Sequence, residues 1–135
     1  MPISQPISHC SDIYHQKYHY FNHKRNWTEA QRYCRKFYND LATFESMDDI
    51  DQLNRPTRRG HEAWIGLYRE PWMWSDGSNS SFRNWISWAP DNQYTREHCG
   101  MEHPDHRWDD QDCSLQGHFI CQGETKQWTF TVKYC

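Results

Sequence analysis

Apolar residues recur in the first third of the chain at intervals of three and four positions, the spacing of one helix face. The residues in this pattern are Ala30, Tyr33, Cys34 and Phe37. Thr28 and Gln31 have the spacing of a capping box, so the pattern predicts a helix over residues 28–38. Ser46 predicts the N-cap of a second, shorter helix, which must end before Pro56 because proline restricts the residue before it.

Four short segments have the composition of β-strands. Residues 18–22 (YHYFN) are rich in aromatic side chains, and residues 63–68 (AWIGLY) and 117–122 (GHFICQ) are largely apolar runs. Residues 126–134 (KQWTFTVKY) alternate apolar and polar side chains, which predicts a half-buried strand near the C-terminus.

Residues 69–99 show neither the helical spacing nor the strand-like alternation of apolar residues, and they mix Pro, Gly, Ser and Asn with tryptophan. An irregular segment of this length in a small domain is usually functional or disordered, and the interleaved indole rings favour order. Core packing is predicted for four tryptophans in and around it: Trp64, Trp74, Trp85 and Trp108.

The chain of 135 residues has the length of one domain, and its net charge of -3 argues against general nucleic-acid binding, which requires a basic surface. Residues 61–135 contain eleven Asp and Glu against six Lys and Arg, a balance that suits a bound cation. No apolar run is long enough to insert in a membrane, and the residues after Met1 lack the apolar segment of a signal peptide. We therefore expect a mature chain or an excised domain.

The six cysteines are an even number and none has C-x-x-C spacing, so they predict disulfides rather than a zinc or redox motif. Disulfides imply an oxidising compartment. Glycosylation sequons at Asn26 and Asn79 agree with this. We expect a secreted protein or the extracellular part of a membrane receptor.

The segments WAPDNQYTREHC and RWDDQDC carry a dense group of carboxylates: Asp91, Glu97, Asp109 and Asp110. Ca²⁺ takes roughly six to eight oxygen ligands, and acids held together without a cation repel one another. One interpretation is a single calcium site. The alternative is a solvated acidic loop whose charge is balanced by Arg96, Arg107 and neighbouring histidines.

A histidine-rich stretch contains residue types that bind zinc: His98, Glu102, His103, Asp105 and His106. Their spacing on a strand and turn does not place them on one face, so a surface turn without a ligand is the stronger interpretation. The chain has no nucleophile elbow and no H-E-x-x-H motif, which favours a binding protein over an enzyme.

Several motifs occur in the order typical of the C-type lectin-like domain. They are NWTEAQRYC, DLATFES, AWIGL, WSDG, FRNW, Pro90-Asp91, the cysteine of EHC, RWDDQDC and FIC. The chain resembles that family over residues 18–122, with residues 1–17 and 123–135 as extensions and an extra strand in the second. The resemblance implies an α+β fold of two helices and two small antiparallel sheets with a long irregular loop, stabilised by disulfides.

The same resemblance implies two disulfides, Cys34–Cys121 and Cys99–Cys113. Cys10 and Cys135 then remain, and they either close a third bridge within the chain, which we favour, or pair with another chain.

The resemblance also implies that Asp91, Glu97, Asp109 and Asp110 are calcium ligands. Ala89 stands where the family has a ligating side chain, which weakens the site. Arg69 replaces an acid of the family's accessory calcium site, so one site is expected.

Because the family binds sugars at the calcium ion, the resemblance implies ligand contacts at Asp91, Asn92, Tyr94, Glu97 and Asp109. Trp88 stands where the family often has Gly and is added as a candidate ligand-binding residue. Pro90-Asp91 is closer to the galactose-type triplet than to the mannose type. Tyr94 would stack on a sugar face or pack within the loop. Since Ala89 and the acids offer no amide donor, we expect weakened or altered monosaccharide binding.

Three functions follow from these expectations. The first is calcium-dependent binding of a glycan or glycoprotein. The second is calcium-independent recognition of a protein ligand, centred on an exposed Trp88 beside the loop tip. The third is ice binding, because some antifreeze proteins share the fold. The oligomeric state is left open.

Overall fold

The computed structural model describes residues 16–55, 60–69 and 71–126 of the chain. These residues form two α-helices, α1 (Trp27–Phe37) and α2 (Met47–Asp51). Their strands are β1 (Tyr18–Arg25), β2 (Asp40–Leu41), β3 (Ala63–Tyr68), β4 (Met73–Trp74), β5 (Glu97–Glu102), β6 (Trp108–Asp112) and β7 (Gly117–Gln122). A short 3-10 turn covers Gln93–Thr95.

Helix α1 begins one residue before the predicted start because its capping box is formed by Asn26 and Glu29. The Glu29 N–H donates to Asn26 Oδ1 at 2.8 Å, and the Asn26 N–H donates to Glu29 Oε1 at 3.0 Å. The prediction of a box at Thr28 and Gln31 is therefore wrong, and the Gln31 amide instead donates to Ser75 Oγ. Ser46 is the N-cap of α2 as predicted, although its side chain makes no capping hydrogen bond.

The strands form one mixed sheet in the order β1-β7-β3-β5-β6, with β2 paired to β7 and β4 to β3. Every pairing is antiparallel except that of β3 with β7, which run parallel. This parallel pair joins the two antiparallel groups expected from the sequence into a continuous sheet. Strands β3 and β7 have the predicted bounds, whereas β1 continues to Arg25 and β5 begins inside the segment predicted to be irregular.

The core lies on both faces of the sheet because neighbouring residues of a strand point to opposite sides. In β3, Ala63, Ile65 and Leu67 belong to one buried cluster and Trp64 belongs to the other, which also contains the buried residues of α1. Trp64, Trp74 and Trp108 are fully buried and Trp85 packs against the first cluster, so the predicted core tryptophans are confirmed.

The long segment before β5 is ordered by hydrogen bonds to the start of β6. The Ile86 N–H donates to the Trp108 carbonyl at 2.7 Å, and the Trp108 N–H donates to the Asn84 carbonyl at 2.9 Å. The indole N–H of Trp74 also donates to the Ser80 carbonyl at 3.0 Å. These contacts fix the base of the loop, and the N–H groups of Asp91 and Asn92 then bond Asp110 in the middle of β6.

Two disulfides are formed as expected, Cys34–Cys121 and Cys99–Cys113. The first attaches α1 to β7, and the second joins β5 to the residue after β6. Cys10, Cys135 and all but the first residue of the predicted strand at 126–134 lie outside the described residues. Within the described residues, no helix combines the length and the apolar character needed to cross a membrane.

Candidate functional site

Three carboxylates converge where the loop meets the sheet. Asp91 lies in the loop, Glu97 begins β5 and Asp110 lies in the middle of β6. One oxygen of each lies within 4.8 Å of the others. We refer to these three residues as the acid cluster. Asp91 is exposed, Glu97 is partly buried and Asp110 is 0% exposed, so the cluster opens to solvent on the loop side.

Backbone amides hold the acid cluster in place. The carboxylate of Asp110 accepts the N–H groups of Asp91 at 3.1 Å and Asn92 at 2.6 Å. Glu97 Oε2 accepts the N–H of Gln93 at 2.9 Å, and the N–H of Glu97 donates to Asn92 Oδ1 at 3.0 Å. The loop is thus folded around the two strand carboxylates, which act as its anchors.

The same loop contains three non-glycine residues with positive φ. Asn92, Tyr94 and Thr95 have φ of 47°, 57° and 58°, which is an uncommon conformation for side-chain-bearing residues. Such strain persists only where surrounding contacts impose it. Asn92 is held by its hydrogen bonds with Asp110 and Glu97, and the Thr95 N–H donates to the Asn92 carbonyl at 2.9 Å. The Ala89–Pro90 peptide bond is cis.

The surroundings of Glu97 favour its protonated form. Partial burial, a hydrogen bond shared with Asp91 and the charges of Asp110 and Asp91 raise the pKa of Glu97 to about 6, although the Gln93 N–H acts in the opposite direction. The carboxylate therefore holds its proton more strongly than a solvated glutamate. A cation placed among the three acids would offset the part of this shift that comes from Asp91 and Asp110.

Asp109 is not part of the acid cluster. Neighbouring residues of β6 point to opposite faces, so Asp110 faces the loop and Asp109 faces away. Asp109 Oδ2 accepts from the Gln111 amide at 3.1 Å and lies 3.9 Å from His103 Nε2. Burial and the nearby charge of Asp110 raise the pKa of Asp109 as well.

The donor set of the acid cluster fits a hard divalent cation such as Ca²⁺, which prefers carboxylate and carbonyl oxygens. Among the described residues, no lysine, arginine or histidine forms an ion pair with Asp91, Glu97 or Asp110. The balancing role expected for Arg96 and Arg107 is therefore not seen as direct ion pairs in this part of the chain. Ala89 contributes no side-chain ligand, so backbone carbonyls and water would have to complete the coordination.

Two aromatic side chains in the loop that carries Asp91 are exposed. Trp88 is 62% exposed and Tyr94 is 81% exposed. The exposure of Trp88 agrees with the expectation from the sequence. Tyr94 is too exposed to pack within the loop, so of the two interpretations of this ring only contact with a ligand agrees with the structure.

The histidine-rich stretch does not gather ligands. His98 Nε2 bonds the Thr95 carbonyl at 3.1 Å, and His106 Nδ1 lies 3.3 Å from Glu102 Oε2. Glu102 is fully buried and paired with Arg55 Nη1 at 2.9 Å. Within the described ranges the acid cluster is the only group of three such side chains close enough for one metal ion, so the structure gives no support to a zinc site.

The two sequons differ in their surroundings. The Asn26 side chain caps helix α1, where its Oδ1 is already bonded. Asn79 is exposed in the loop that follows β4.

Sequence reasoning overlooked a group of residues beside the cluster. Glu97 pairs with Asp112 across the β5–β6 ladder, and the turn after β6 brings Leu115 near Tyr94. The expected Cys99–Cys113 disulfide could have indicated this group, because a disulfide brings the neighbours of both cysteines, here Glu97 and Asp112, close together.

Comparisons with known proteins agree with this geometry. Residues 23–123 match the family model of the Lectin C-type domain. The chain is 33% identical over 122 residues to "C-type lectin TsL" of Trimeresurus stejnegeri, an alignment covering 78% of this chain and 75% of that protein. It is also 33% identical over 120 residues to a "C-type lectin galactose-binding isoform" of Pseudechis porphyriacus, covering 78% and 75%.

Among solved structures, the carbohydrate-recognition domain of the mouse scavenger receptor C-type lectin superposes with a TM-score of 0.70 at 26% identity, covering 79% of this chain and 88% of that one. The chain therefore belongs to the C-type lectin family. Domains of this family recognise carbohydrates or proteins and are generally not enzymes. They commonly bind Ca²⁺, for which the acid cluster is the candidate site.

Proposed function

We propose that the chain is a carbohydrate-recognition domain whose sugar binding depends on one calcium ion at the acid cluster. The observation that carries the proposal is the convergence of Asp91, Glu97 and Asp110 oxygens within 4.8 Å. Three formal negative charges at this spacing, without an arginine or lysine partner among the described residues, are costly, and a divalent cation offsets the cost.

The roles of the residues follow from their surroundings. Asp110 and Glu97 are fixed ligands on strands, and Asp91 is a loop ligand whose position depends on the hydrogen bonds to Asp110. A bound Ca²⁺ ion supplies positive charge and coordination positions for two neighbouring sugar hydroxyls. Asp109, directed to the other face, acts on the site only through its charge.

Asn92 supplies the amide donor that the rest of the site lacks. Its Oδ1 accepts the N–H of Glu97, so the amide is held with its Nδ2 group available to donate to a sugar hydroxyl. Tyr94 offers an exposed ring for the apolar face of a sugar. With only one amide donor and three acids, the site suits weak binding of a single sugar ring.

Galactose-type sugars are the proposed preference. Support comes from the Pro90-Asp91 pair in the loop and from the relative in Pseudechis porphyriacus that is described as galactose-binding. The proposal extends to location: two disulfides suit an oxidising environment, so the domain is secreted or belongs to the extracellular part of a receptor.

A glycan array read in calcium and again in a chelator tests this function. We expect binding to galactose-terminated glycans that disappears when calcium is removed. Asp110→Asn protein is the matched control on the same array, since it keeps the side-chain shape but loses one ligand charge. Absence of bound glycan in both conditions would refute the proposal.

Protein recognition is the second candidate, and the exposed indole of Trp88 favours it. A ring with 62% exposure, three residues before Asp91 in the chain, resembles the aromatic anchors of protein interfaces. If this function holds, Trp88→Ser weakens capture of a glycan-free protein ligand without changing calcium affinity. Met73→Ser, which removes another exposed apolar side chain, is the control.

A further inference from the structure

Positive charge is concentrated in the segment that forms β1 and α1. Residues 17–38 contain six Lys and Arg and one acid, although the whole chain has a net charge of -3. Two of the six cations form ion pairs, with Asp49 at 2.9 Å and with Asp40 at 3.1 Å. The single acid, Glu29, accepts the N-cap amide of α1. The other four cations form no ion pair with another described residue.

Three of these cations share one surface with a lysine that follows β7. We refer to the four residues as the basic face: Arg25, Arg32, Lys36 and Lys126. Arg32, Lys36 and Lys126 are exposed, and Arg25 is half-buried. Arg32 and Lys36 are four positions apart on α1, so their side chains lie on the same side of the helix, one turn apart.

Two aromatic rings connect the cations of the basic face. The guanidinium carbon of Arg25 lies 5.1 Å from the centre of the Tyr33 ring, and the centres of the Tyr33 and Phe37 rings are 4.9 Å apart. Lys36 Nζ lies 5.2 Å from the centre of the Phe37 ring. The backbone N–H of Lys126 donates to the Phe37 carbonyl at 2.6 Å. These contacts make the basic face one continuous surface of alternating charged and aromatic groups.

Helix stability explains only part of this charge. Lys36 lies in the last turn of α1, where a cation favours the helix dipole. Arg32 lies in the middle of the helix and Arg25 lies in a strand, so neither position has such a role. A like-charged surface without ion-pair partners attracts an anionic partner instead.

The basic face and the acid cluster lie on opposite faces of the sheet. Helix α1 packs through Trp27, Ala30 and Cys34 into one buried cluster. Trp108 of β6 belongs to the other buried cluster, and Asp110, two residues further along the strand, points to the same side as Trp108. An anion bound at the basic face therefore does not meet the carboxylates of the acid cluster.

The surroundings of the basic face favour a polysaccharide over a membrane. The exposed large apolar side chains of the described residues all lie outside β1 and α1: Met47, Met73, Trp88, Tyr94 and Leu115. A membrane-binding helix needs such side chains to insert among lipids. Guanidinium groups instead bind oxyanions through paired hydrogen bonds, and the partly exposed rings of Tyr33 and Phe37 add apolar contact area for sugar rings.

We propose that the basic face binds a sulfated polysaccharide, and that this binding does not require calcium. The two disulfides suit an oxidising, extracellular environment, where sulfated polysaccharides are abundant anionic polymers. The basic face is separate from the galactose site of the proposed function, and its activity does not depend on that site.

Surface plasmon resonance on immobilised heparin, a sulfated polysaccharide, tests the inference with the protein in chelator. We expect binding in about 150 mM salt that is unchanged when calcium replaces the chelator. If four cations displace counterions from the polymer, affinity should fall about fiftyfold between roughly 50 and 200 mM salt. Heparin from which the sulfate groups have been removed should bind at least about tenfold more weakly.

The combined substitution Arg32→Gln and Lys36→Gln locates the site. Glutamine is a good helix former, so α1 should be retained, and affinity for heparin should fall at least about tenfold because two charged hydrogen-bond donors are lost. Arg96→Gln with Arg107→Gln is the matched control: both side chains are exposed, lie outside β1 and α1, and remove the same charge. Its heparin affinity should fall by less than about threefold. If melting shows that the first variant is unfolded, Arg32→Gln alone tests the same surface.

Each of several results would overturn the inference. They are equal heparin affinity of the two double variants, binding that requires calcium, and equal binding of sulfated and desulfated heparin. Tighter binding to phosphatidylserine vesicles or to duplex DNA than to heparin would assign the basic face to another class of partner. Absence of heparin binding in chelator also overturns the inference, but it leaves calcium-dependent binding of galactose untouched, since the two sites are tested with different probes and opposite calcium conditions.

Discussion

Replacing Asp110 by asparagine removes one charge from the acid cluster with little change of shape. Two unit charges 4 Å apart interact by about 4 kcal/mol at an effective dielectric constant of about 20, and a divalent ion doubles this to about 8 kcal/mol. Asparagine still offers a carboxamide oxygen, so we take about a third of that value, ~2.7 kcal/mol, as the lost binding energy. Calcium affinity should therefore fall at least about a hundredfold.

The calcium-free fold should tolerate the same change. The introduced carboxamide retains one acceptor oxygen for the N–H groups of Asp91 and Asn92, so one hydrogen bond worth ~1 kcal/mol is lost. Reduced repulsion with Glu97 partly offsets this loss. The melting temperature without calcium should stay within about 4 °C of wild type.

Isothermal titration calorimetry measures the calcium affinity, and circular dichroism melting in chelator measures the fold. Asp109→Ala is the matched control, because it removes a whole carboxylate from the neighbouring residue on the opposite face of β6. Its calcium affinity should fall by less than about tenfold. If Asp109→Ala abolishes calcium binding and Asp110→Asn does not, the geometric assignment of the ligands is refuted.

Three other predictions follow from the contacts. Arg55→Met leaves buried Glu102 without its main partner and should cost ~3 kcal/mol in urea unfolding; a loss below ~1 kcal/mol contradicts this. Because the pKa of Glu97 is raised to about 6, the calcium-free folded protein should lose stability as pH rises from 4.5 to 6. Calcium affinity should fall as pH drops below about 6, because the protonated carboxyl is a poor ligand. Thermal melting in chelator tests the first trend and calcium titration tests the second, and a flat pH profile refutes either one. Joint replacement of Cys99 and Cys113 by serine removes the disulfide between cysteines 14 positions apart and should cost ~3 kcal/mol of unfolding free energy. Calcium affinity should fall as well. Unchanged calcium affinity would show that the disulfide does not position the acid cluster.

The buried parts of the fold were predictable because their apolar side chains form recognisable runs and spacings in the sequence. Strands β3 and β7 are short apolar runs that must be buried on both faces, and their predicted bounds match the structure. The apolar spacing predicted the buried face of α1 but not its N-cap. Asn26 and Thr28 are both good N-cap residues, and the burial of Trp27 as the first helical residue favours Asn26 as the N-cap.

The strands that carry the site were harder to predict. Strands β5 and β6 consist of EHCGME and WDDQD, and their polar side chains hide the alternation that identifies a strand. They pair with each other as a hairpin closed by residues 103–107, and β5 also pairs with β3, a long-range contact that local sequence does not express. Asp91, Glu97 and Asp110 were expected together from the resemblance, whereas the separation of Asp109 follows only once residues 108–112 are known to be extended.

Calcium titration of the protein, followed by melting at each concentration, is the most direct test of the acid cluster as a metal site. An ion that binds only the folded state stabilises it by about 2.7 kcal/mol when its concentration is about one hundred times its dissociation constant. We predict binding of one calcium ion and a melting temperature that rises continuously with calcium and returns to its starting value in chelator. No heat of binding and an unchanged melting temperature up to about 10 mM calcium, above the weak end of extracellular calcium sites, would contradict the account.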